Sequence, residues 1–489
     1  MFGAGPLIVQ FRVEFAGAVV LRPMNFDFAN KTVAVLGMAR SGLACAEVLT
    51  ELGAHVRLYD AKPAEQLTDG IAAARALGIE PRVDGIPVDY AELDVLITSP
   101  GVRKDAPVLQ EALRAGVLVW GEIEAAYRIA RAPILAITGT NGKTTTTVLL
   151  GEMLKAAGIE TYIAGNIAAG DLAMPLIKAA YLAGPNAAIV AEISSFQLEW
   201  IETFRPKVAA LLNITPDHGD RQTWEEYVAA KWRIFENQTN TEVAVLNDEL
   251  WCDRQMQAAR KVKSSIWLFG IECSDKYGVW AYNDGIYVAH AMKATVTEMF
   301  QKVCDNNEIK LPGEHNRENI CAAAAMATAF GVGVEPIRQV ATTFTGVVHR
   351  LEYVDTIDGV RYINNSMCTN VAAFEKSLEA LPESKVIIAG GVFKGDDVTP
   401  LAKAVVKNNV RALVLIGRSG PEIADAARKI GYENVHLASF MQDALHQAKT
   451  LAQPGDTVLL APACASFDMF RDFEDRGDQF KLAVRELQS

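Results

Sequence analysis

An α/β fold in three domains is predicted by three observations. Short apolar runs alternate with helix-forming stretches, the pattern of mostly parallel sheets that carry their sites at strand ends. A glycine loop with a lysine and threonines, Gly139-Thr140-Asn141-Gly142-Lys143-Thr144-Thr145, joins an apolar run to a helix-forming segment. The chain of 489 residues is long for a single core, so two or three domains are expected. With 50% hydrophobic and 22% charged residues, the composition is that of a soluble globular protein.

Residues 1–23 are apolar and contain glycine, but Arg12 and Glu14 interrupt them and no early basic region precedes them, so they do not read as a secretory signal. Two readings stand for this stretch: a misassigned start, with Met24 as the true one, or an added N-terminal strand. Lys31–Leu36 reads as a buried strand, then Gly37-Met38-Ala39-Arg40-Ser41-Gly42, then a helix from Leu43 to Leu52. His55–Tyr59 is the next strand and ends at Asp60; Asp94–Thr98 is another and leads into Ser99-Pro100-Gly101. Taken alone, this strand–glycine turn–helix–strand–acid unit suggests a dinucleotide site, but Ala39 stands where the full glycine pattern needs glycine, so NAD is not inferred. The expected N-terminal domain is Rossmann-like and spans 24–131.

The central domain, expected over 132–343, is a phosphate-loop domain with a mostly parallel sheet. It opens with the apolar run before Gly139, and a short apolar segment, Thr161–Ala164, precedes Gly165-Asn166. Ala187–Ala191 reads as a strand ending in Glu192, and Val208–Ile214 as one ending in Thr215-Pro216-Asp217-His218. Trp224–Asn237 reads as one amphipathic helix carrying Lys231, followed by a short strand at Val243–Leu246. Between Ser264 and Val303 a small β excursion is expected, with a hairpin at Asn283-Asp284-Gly285. A helix over Asn316–Phe330 completes the domain. The third domain, expected over 344–489, is a second Rossmann-like sheet built on Tyr362-Ile363, Val386–Ala389, Ala412–Ile416 and Thr457–Leu460, entered through the connector Gly346–Glu352.

The glycine loop carries the chemistry. Gly139 and Gly142 let backbone N–H groups turn toward an anion, and the helix start adds positive potential. Lys143 can reach terminal phosphates, and the Thr144 hydroxyl can ligate Mg²⁺. A plain glycine turn is the competing reading; Gly-Lys-Thr at a strand-to-helix junction favours a nucleoside triphosphate. Glu192 and His218 each close a strand at the edge that carries Lys143, which favours metal binding over the ordinary solvated strand end. Lys231 by itself reads as a solvated helix lysine.

The net charge of −12 argues against a nucleic-acid partner. No apolar run is long enough to span a bilayer. Seven scattered cysteines, none in a Cys-x-x-Cys pair, speak against a disulfide framework and fit a reducing cytosol.

The loop has two residues between its glycines where the general phosphate loop has four. In this form it resembles the Mur ligase superfamily, the ATP-dependent ligases that build the bacterial cell-wall peptide together with folylpolyglutamate synthases. Gly37-x-x-x-Ser41-Gly42, Asp60 and Ser99-Pro100-Gly101 in front, and Ala461–Asp468 with Phe473–Gly477 at the end, resemble the members that add D-glutamate. The resemblance covers essentially Met24 to Gln488. It implies ligation of D-glutamate to UDP-N-acetylmuramoyl-L-alanine through an acyl phosphate, by a monomeric enzyme in the cytoplasm, with neither nucleic acid nor membrane as partner.

Residue by residue, the resemblance implies ATP contacts from Gly139 to Thr145, from Asn316 or Asn319 beside His315, and from Arg350 and Asn365. It implies two Mg²⁺ ions, one on Thr144 and Glu192, the other on His218 and a carbamylated Lys231 within Tyr227–Ile234. Lys143, His218, Lys231 and Arg350 would carry catalysis. Ser41, Asp60 and Ser99 would meet the uridine diphosphate, and Asn166 and Gln197 the muramoyl part. Thr369, Lys394 and Ser466, with Phe467 beside it, would hold glutamate. Two positions depart from the family pattern: Asn365 replaces an aspartate that would meet the ribose of ATP, and Met367 replaces a lysine, so one positive charge near the phosphates is missing. A ligase for another amino acid such as L-glutamate, and a catalytically weakened nucleotide-binding homologue, are the alternatives.

Overall fold

The computed structural model describes residues 26–167, 174–215, 222–253, 262–272, 277–289, 300–311, 313–393 and 397–487. Residues 1–23, His218 and Lys394 therefore lie outside the described residues. The chain gathers into two compact units. One takes the described residues up to Asn166, then Met174–Ile309 and Arg317–Thr342; the other takes Lys310–Asn316 and the chain from Thr343.

The first unit holds two sheets. The front sheet has four parallel strands in the order β2-β1-β3-β4: β1 Thr32–Leu36, β2 His55–Tyr59, β3 Val95–Thr98 and β4 Leu118–Gly121. The turn after β1 is tight because a Cβ at Gly42 would lie 1.8 Å from the Gly37 carbonyl oxygen, so only glycine lets the helix Arg40–Glu51 start so close to the strand.

The second sheet has nine strands in the order β13-β12-β11-β10-β9-β8-β5-β7-β6. These are β5 Ile134–Thr138, β6 Thr161–Gly165, β7 Ala188–Glu192, β8 Val208–Leu211, β9 Val243–Asn247, β10 Ser265–Ile271, β11 Gly278–Ala281, β12 Gly285–Ala289 and β13 Phe300–Asp305. Every residue of β5, β7 and β8 is buried, as expected for central parallel strands covered on both faces. The chain runs outward from β5 to β6, returns to β7, and then crosses to β8 on the other side of β5. The carboxyl end of β5 is therefore a topological switch point, where open α/β sheets place their ligands.

The expected β excursion extends this sheet. Strands β10 and β11 continue it in parallel, and the β11–β12 and β12–β13 pairs are antiparallel. The hairpin forms around Asn283-Asp284, closed by the Tyr282 N–H donating to the Gly285 carbonyl at 2.8 Å. Gly285 is needed for packing: a Cβ there would lie 2.3 Å from the Cys304 carbonyl oxygen. The helix expected over 224–237 ends its α-helical part at Trp232 and tightens into a 3₁₀ turn, Arg233–Phe235. The guanidinium of Arg233 there donates to the carbonyls of Leu198, Glu199 and Ile201.

The second unit has six strands in the order β14-β15-β19-β16-β17-β18: β14 Glu352–Ile357, β15 Val360–Asn364, β16 Lys385–Gly390, β17 Val410–Ile416, β18 Val435–Leu437 and β19 Thr457–Leu460. All pairs are parallel except β14–β15, a hairpin whose two-residue Asp358-Gly359 loop has both φ values positive, at 53° and 77°. Sequence patterning assigned no strand at β4, β14 or β18. Among the described residues no helix is long and apolar enough to cross a membrane.

A buried carboxylate fastens the helix Glu122–Ile129 to the loop before β8. Glu124 is 0% exposed and accepts from the N–H groups of Glu202, Thr203 and Phe204, from the Thr203 hydroxyl, and from Arg128 Nε at 2.8 Å. Arg128 also lies over the Trp120 ring, 4.0 Å from its centroid. Glu124→Ala would leave three backbone N–H groups and a hydroxyl without their buried acceptor and would cost Arg128 one of two carboxylate partners, Glu202 at 3.0 Å being the other. Urea denaturation of the first unit should show a loss of about 3–5 kcal/mol, with a smaller loss for Glu124→Gln, which still accepts.

Candidate active site

The loop at the switch point begins where β5 ends. Gly142 takes φ 81°, and a Cβ on it would meet Asn319 Oδ1 at 2.2 Å, so glycine is required for both reasons. The helix Lys143–Ala156 follows at once and receives no side-chain cap, so its first N–H groups face the site. Asn319 packs behind the loop and its Oδ1 also accepts from the Thr146 hydroxyl at 3.3 Å.

The loop backbone is held by a side chain that sequence reasoning did not single out. Asn213 lies just past the end of β8, where the strand expected to reach Ile214 has already left the sheet at Leu211. Its Oδ1 accepts from the N–H of Thr140 at 3.1 Å and of Asn141 at 2.8 Å, and its Nδ2 donates to the Asn141 carbonyl at 3.2 Å. The Thr140 hydroxyl exchanges hydrogen bonds with the Thr215 backbone and lies 2.9 Å from the Tyr227 hydroxyl. A polar carboxamide ending an otherwise apolar strand was the available signal.

Both lysines of the expected catalytic set converge on the loop. Lys143 Nζ donates to the carbonyls of Gly139 at 3.0 Å and Thr140 at 2.9 Å. Lys231, which patterning alone would leave in solvent, is 2% exposed, donates to the Gly139 carbonyl at 2.8 Å and lies 4.5 Å from the Tyr227 ring centroid. The Thr144 hydroxyl donates to Glu192 Oε2 at 2.7 Å, with both residues buried. Asn166 is close by: its N–H donates to the Glu192 carbonyl at 2.9 Å, and Gly165 before it takes φ 100°, where a Cβ would strike that same carbonyl at 2.2 Å. Gln197 closes a capping box with Ser194 at the start of the short helix Ser195–Leu198.

The front-sheet residues gather at the carboxyl ends of their strands. Asp60 accepts from the N–H of Met38 at 2.9 Å and of Lys62 at 3.0 Å, which shapes the turn after β1. The Ser99 hydroxyl donates to the Leu36 carbonyl. Ser41 bonds to Glu122, a 2%-exposed carboxyl that burial pushes up despite that bond and the N–H of Ile177.

In the second unit Arg350 sits between two non-glycine residues in the left-handed region, His349 at φ 63° and Leu351 at φ 43°. Burial, followed by the charge of Arg350, holds His315 below the usual imidazole value. Asn316, at the start of the helix Glu314–Phe330, is 9% exposed. Thr369 is half-buried, Ser466 is buried, and Phe467 projects with 72% exposure. Arg476 ties the Thr369 and Ser466 loops together: its Nη1 donates to the Cys464 carbonyl at 3.0 Å, and its Nη2 and Nε donate to the Ser366 carbonyl and hydroxyl, each at 2.9 Å. Burial pulls this guanidinium down to about 10. Asn365 is 5% exposed, its Oδ1 accepting from the Leu351 N–H and its Nδ2 donating to Ser377.

Comparison with known proteins adds a family. Residues 31–121 match the MurD-like N-terminal domain of Mur ligases, 137–327 the Mur ligase middle domain, and 349–464 the Mur ligase glutamate ligase domain. The chain is 44% identical over 465 residues to a protein of Pelotomaculum thermopropionicum named UDP-N-acetylmuramoylalanine--D-glutamate ligase, covering 94% of this chain and 99% of that one. A protein of the same name from a Thermoanaerobacter species is 42% identical over 468 residues, with the same coverage. Among solved structures, UDP-N-acetylmuramate-alanine ligase from Thermotoga maritima is similar in fold, with a TM-score of 0.53 at 19% identity over 94% of this chain and 99% of that one. A pseudomurein peptide ligase type C from Methanothermus fervidus gives 0.52 at 19% identity, over 94% and 100%.

Asn213→Ala should raise the dissociation constant for a nucleoside triphosphate about tenfold, since it removes three hydrogen bonds that shape the loop. Calorimetric titration checks this, and an unchanged melting temperature separates it from misfolding.

Proposed function

Since this chain belongs to the Mur ligase family, we propose that it joins D-glutamate to UDP-N-acetylmuramoyl-L-alanine, using ATP, in the cytoplasmic synthesis of cell-wall precursors. The reading rests above all on the phosphate loop at the switch point, with two lysines and a hydroxyl–carboxylate pair gathered on it. The extent of the relatives supports it, since their identity runs through all three matched regions. In this reading 24–131 bind the UDP end of the acceptor, 132–343 bind ATP, and 344–489 bind the amino acid. The enzyme works as a monomer.

The reaction has two steps. The acceptor's terminal carboxylate oxygen attacks the γ-phosphorus of ATP, the bond to the β–γ bridging oxygen breaks, and ADP leaves. The neutral amine of D-glutamate then attacks the acyl carbon, loses a proton, and inorganic phosphate departs from the tetrahedral intermediate. Lys143 exchanges its carbonyl partners for the terminal phosphates and offsets charge on the transferring group. The N–H groups at the start of the helix Lys143–Ala156 cradle the chain of phosphates. Arg350 reaches the phosphates from the third domain. The adenine lies against the Asn316–Asn319 turn, and Asn166 and Gln197 orient the muramoyl part. Ser41, Asp60 and Ser99 take the uridine diphosphate, while Thr369, Lys394, Ser466 and Phe467 take D-glutamate.

Thr144 and Glu192 offer two hard oxygen donors in contact, a set that fits Mg²⁺. His218 and a carbamylated Lys231 would hold a second ion. The Lys231 ammonium group would first lose a proton, and carbamylation would then join the neutral amine to CO₂ with loss of a second, turning a buried cation into an oxygen ligand. When bound, Mg²⁺ neutralises charge on the phosphoryl oxygens.

The test is ADP release in the presence of both acceptor and amino acid. D-glutamate should support turnover, with L-glutamate at least about a hundredfold poorer, and Lys143→Ala should lower kcat about 10²–10³-fold. Equal turnover with L-glutamate would identify a different ligase, and no acceptor-dependent ADP would identify a weakened homologue. Depleting dissolved CO₂ should slow the native chain reversibly, with bicarbonate restoring it, and any residual activity of Lys231→Ala should not respond.

A further inference from the structure

The backbone around Arg350 is an arch that needs holding. With His349 and Leu351 both left-handed, neither flanking residue is in a conformation that its own side chain favours. The arch borrows its hydrogen bonds from the surrounding unit. The His349 N–H donates to Glu352 Oε2 at 2.9 Å, its carbonyl accepts from the Met367 N–H at 3.0 Å, and its ring Nδ1 lies 3.0 Å from Asn364 Nδ2. Glycine at 477 makes room for that ring, because a Cβ there would lie 2.1 Å from Nδ1. On the other side of Arg350, the Leu351 N–H donates to Asn365 Oδ1 at 3.2 Å.

Asn365 is anchored in turn. Its Nδ2 donates to the Ser377 hydroxyl oxygen at 2.6 Å, and that hydroxyl donates its own proton to the Ala373 carbonyl at 2.6 Å within the helix Val371–Glu379. Its backbone is held as well, the N–H by the Leu460 carbonyl at 2.9 Å and the carbonyl by the Cys368 N–H at 2.9 Å. With the Ser377 proton committed to Ala373, position 365 must accept from Leu351 and donate to Ser377 at once. A carboxamide does both, whereas a carboxylate only accepts.

We propose that Asn365 is a positioning residue, which straps the Leu351 N–H to the helix Val371–Glu379 through Ser377 and so sets the approach of Arg350 to the nucleotide phosphates. The inference rests on the reading of Arg350 given under the proposed function. In this role Asn365 acts through Arg350 rather than on ribose.

The experiment compares the full-length native chain with Asn365→Ala, Asn365→Asp, Ser377→Ala, Arg350→Ala and the double variant Asn365→Ala/Arg350→Ala, using ATP and 2′,3′-dideoxy-ATP. Asn365→Ala should lower kcat about ten- to a hundredfold, with KM for the acceptor and for D-glutamate unchanged. The same loss should appear with the dideoxy nucleotide. Asn365→Asp, which keeps the acceptor for Leu351 but loses the donor to Ser377, and Ser377→Ala, which cuts the strap at the same bond, should each show a smaller loss in the same direction. In the Arg350→Ala background, Asn365→Ala should add nothing. Hydrogen exchange at the Leu351 amide should speed up in Asn365→Ala.

A loss that vanishes with dideoxy-ATP, or losses that add in the double variant, would overturn the proposal. If Arg350→Ala is impaired while Asn365→Ala and Ser377→Ala are not, the strap alone fails. Full activity of Arg350→Ala sinks the reading of Arg350 and the proposal with it. Should Asn365→Ala not fold, Ser377→Ala with the two nucleotides and the exchange rate of Leu351 decides in the same way.

Discussion

Backbone that leaves a sheet must find new hydrogen-bond partners, and the candidate site at the end of β5 depends on that constraint. The phosphate loop is neither strand nor helix from Gly139 to Gly142. Its partners come from elements around the switch point: the Asn213 carboxamide, just past β8, on the N–H groups of Thr140 and Asn141, and the helix-borne Lys143 and Lys231 on its carbonyls. The loop can thus hold a shape that suits an anion because the switch point brings β5, β7 and β8 side by side. Glu192, at the end of β7, meets Thr144 for the same reason.

The second unit solves the same problem at Arg350. There the irregular stretch is an arch with two left-handed residues, and its partners are carboxamides and a carboxylate at the ends of β14 and β15. In both places a short amide side chain can donate and accept together, so one residue serves two backbone groups. Asparagine at 365 is in this sense a fitted residue and not simply a neutral copy of an acid.

Buried charge is treated consistently. Glu124 gathers donors from three consecutive backbone N–H groups, a hydroxyl and Arg128. Arg476 is 0% exposed and donates to two carbonyls and a hydroxyl. Glu124 ties a helix to a loop and Arg476 ties the loops after β15 and β19, which gives these segments a defined place.

The α/β class, the parallel strand-and-helix alternation and the phosphate loop were legible in the sequence, because apolar runs and glycine–lysine–threonine motifs are local signals. The hairpin at Asn283-Asp284 was legible for the same reason, and the Asp358-Gly359 turn carried an equal signal that the patterning missed. Strands β4, β14 and β18 were not visible: β4 and β18 have four and three residues, and partly exposed β14 has no clean alternation of its own. Tertiary structure alone decided that Lys231 is buried on the Gly139 carbonyl, that Asn213 shapes the loop, and that Asn365 braces the arch. Periodicity reports which face of an element turns inward, but a hydrogen bond between residues 92 positions apart exists only once the strand order has been chosen.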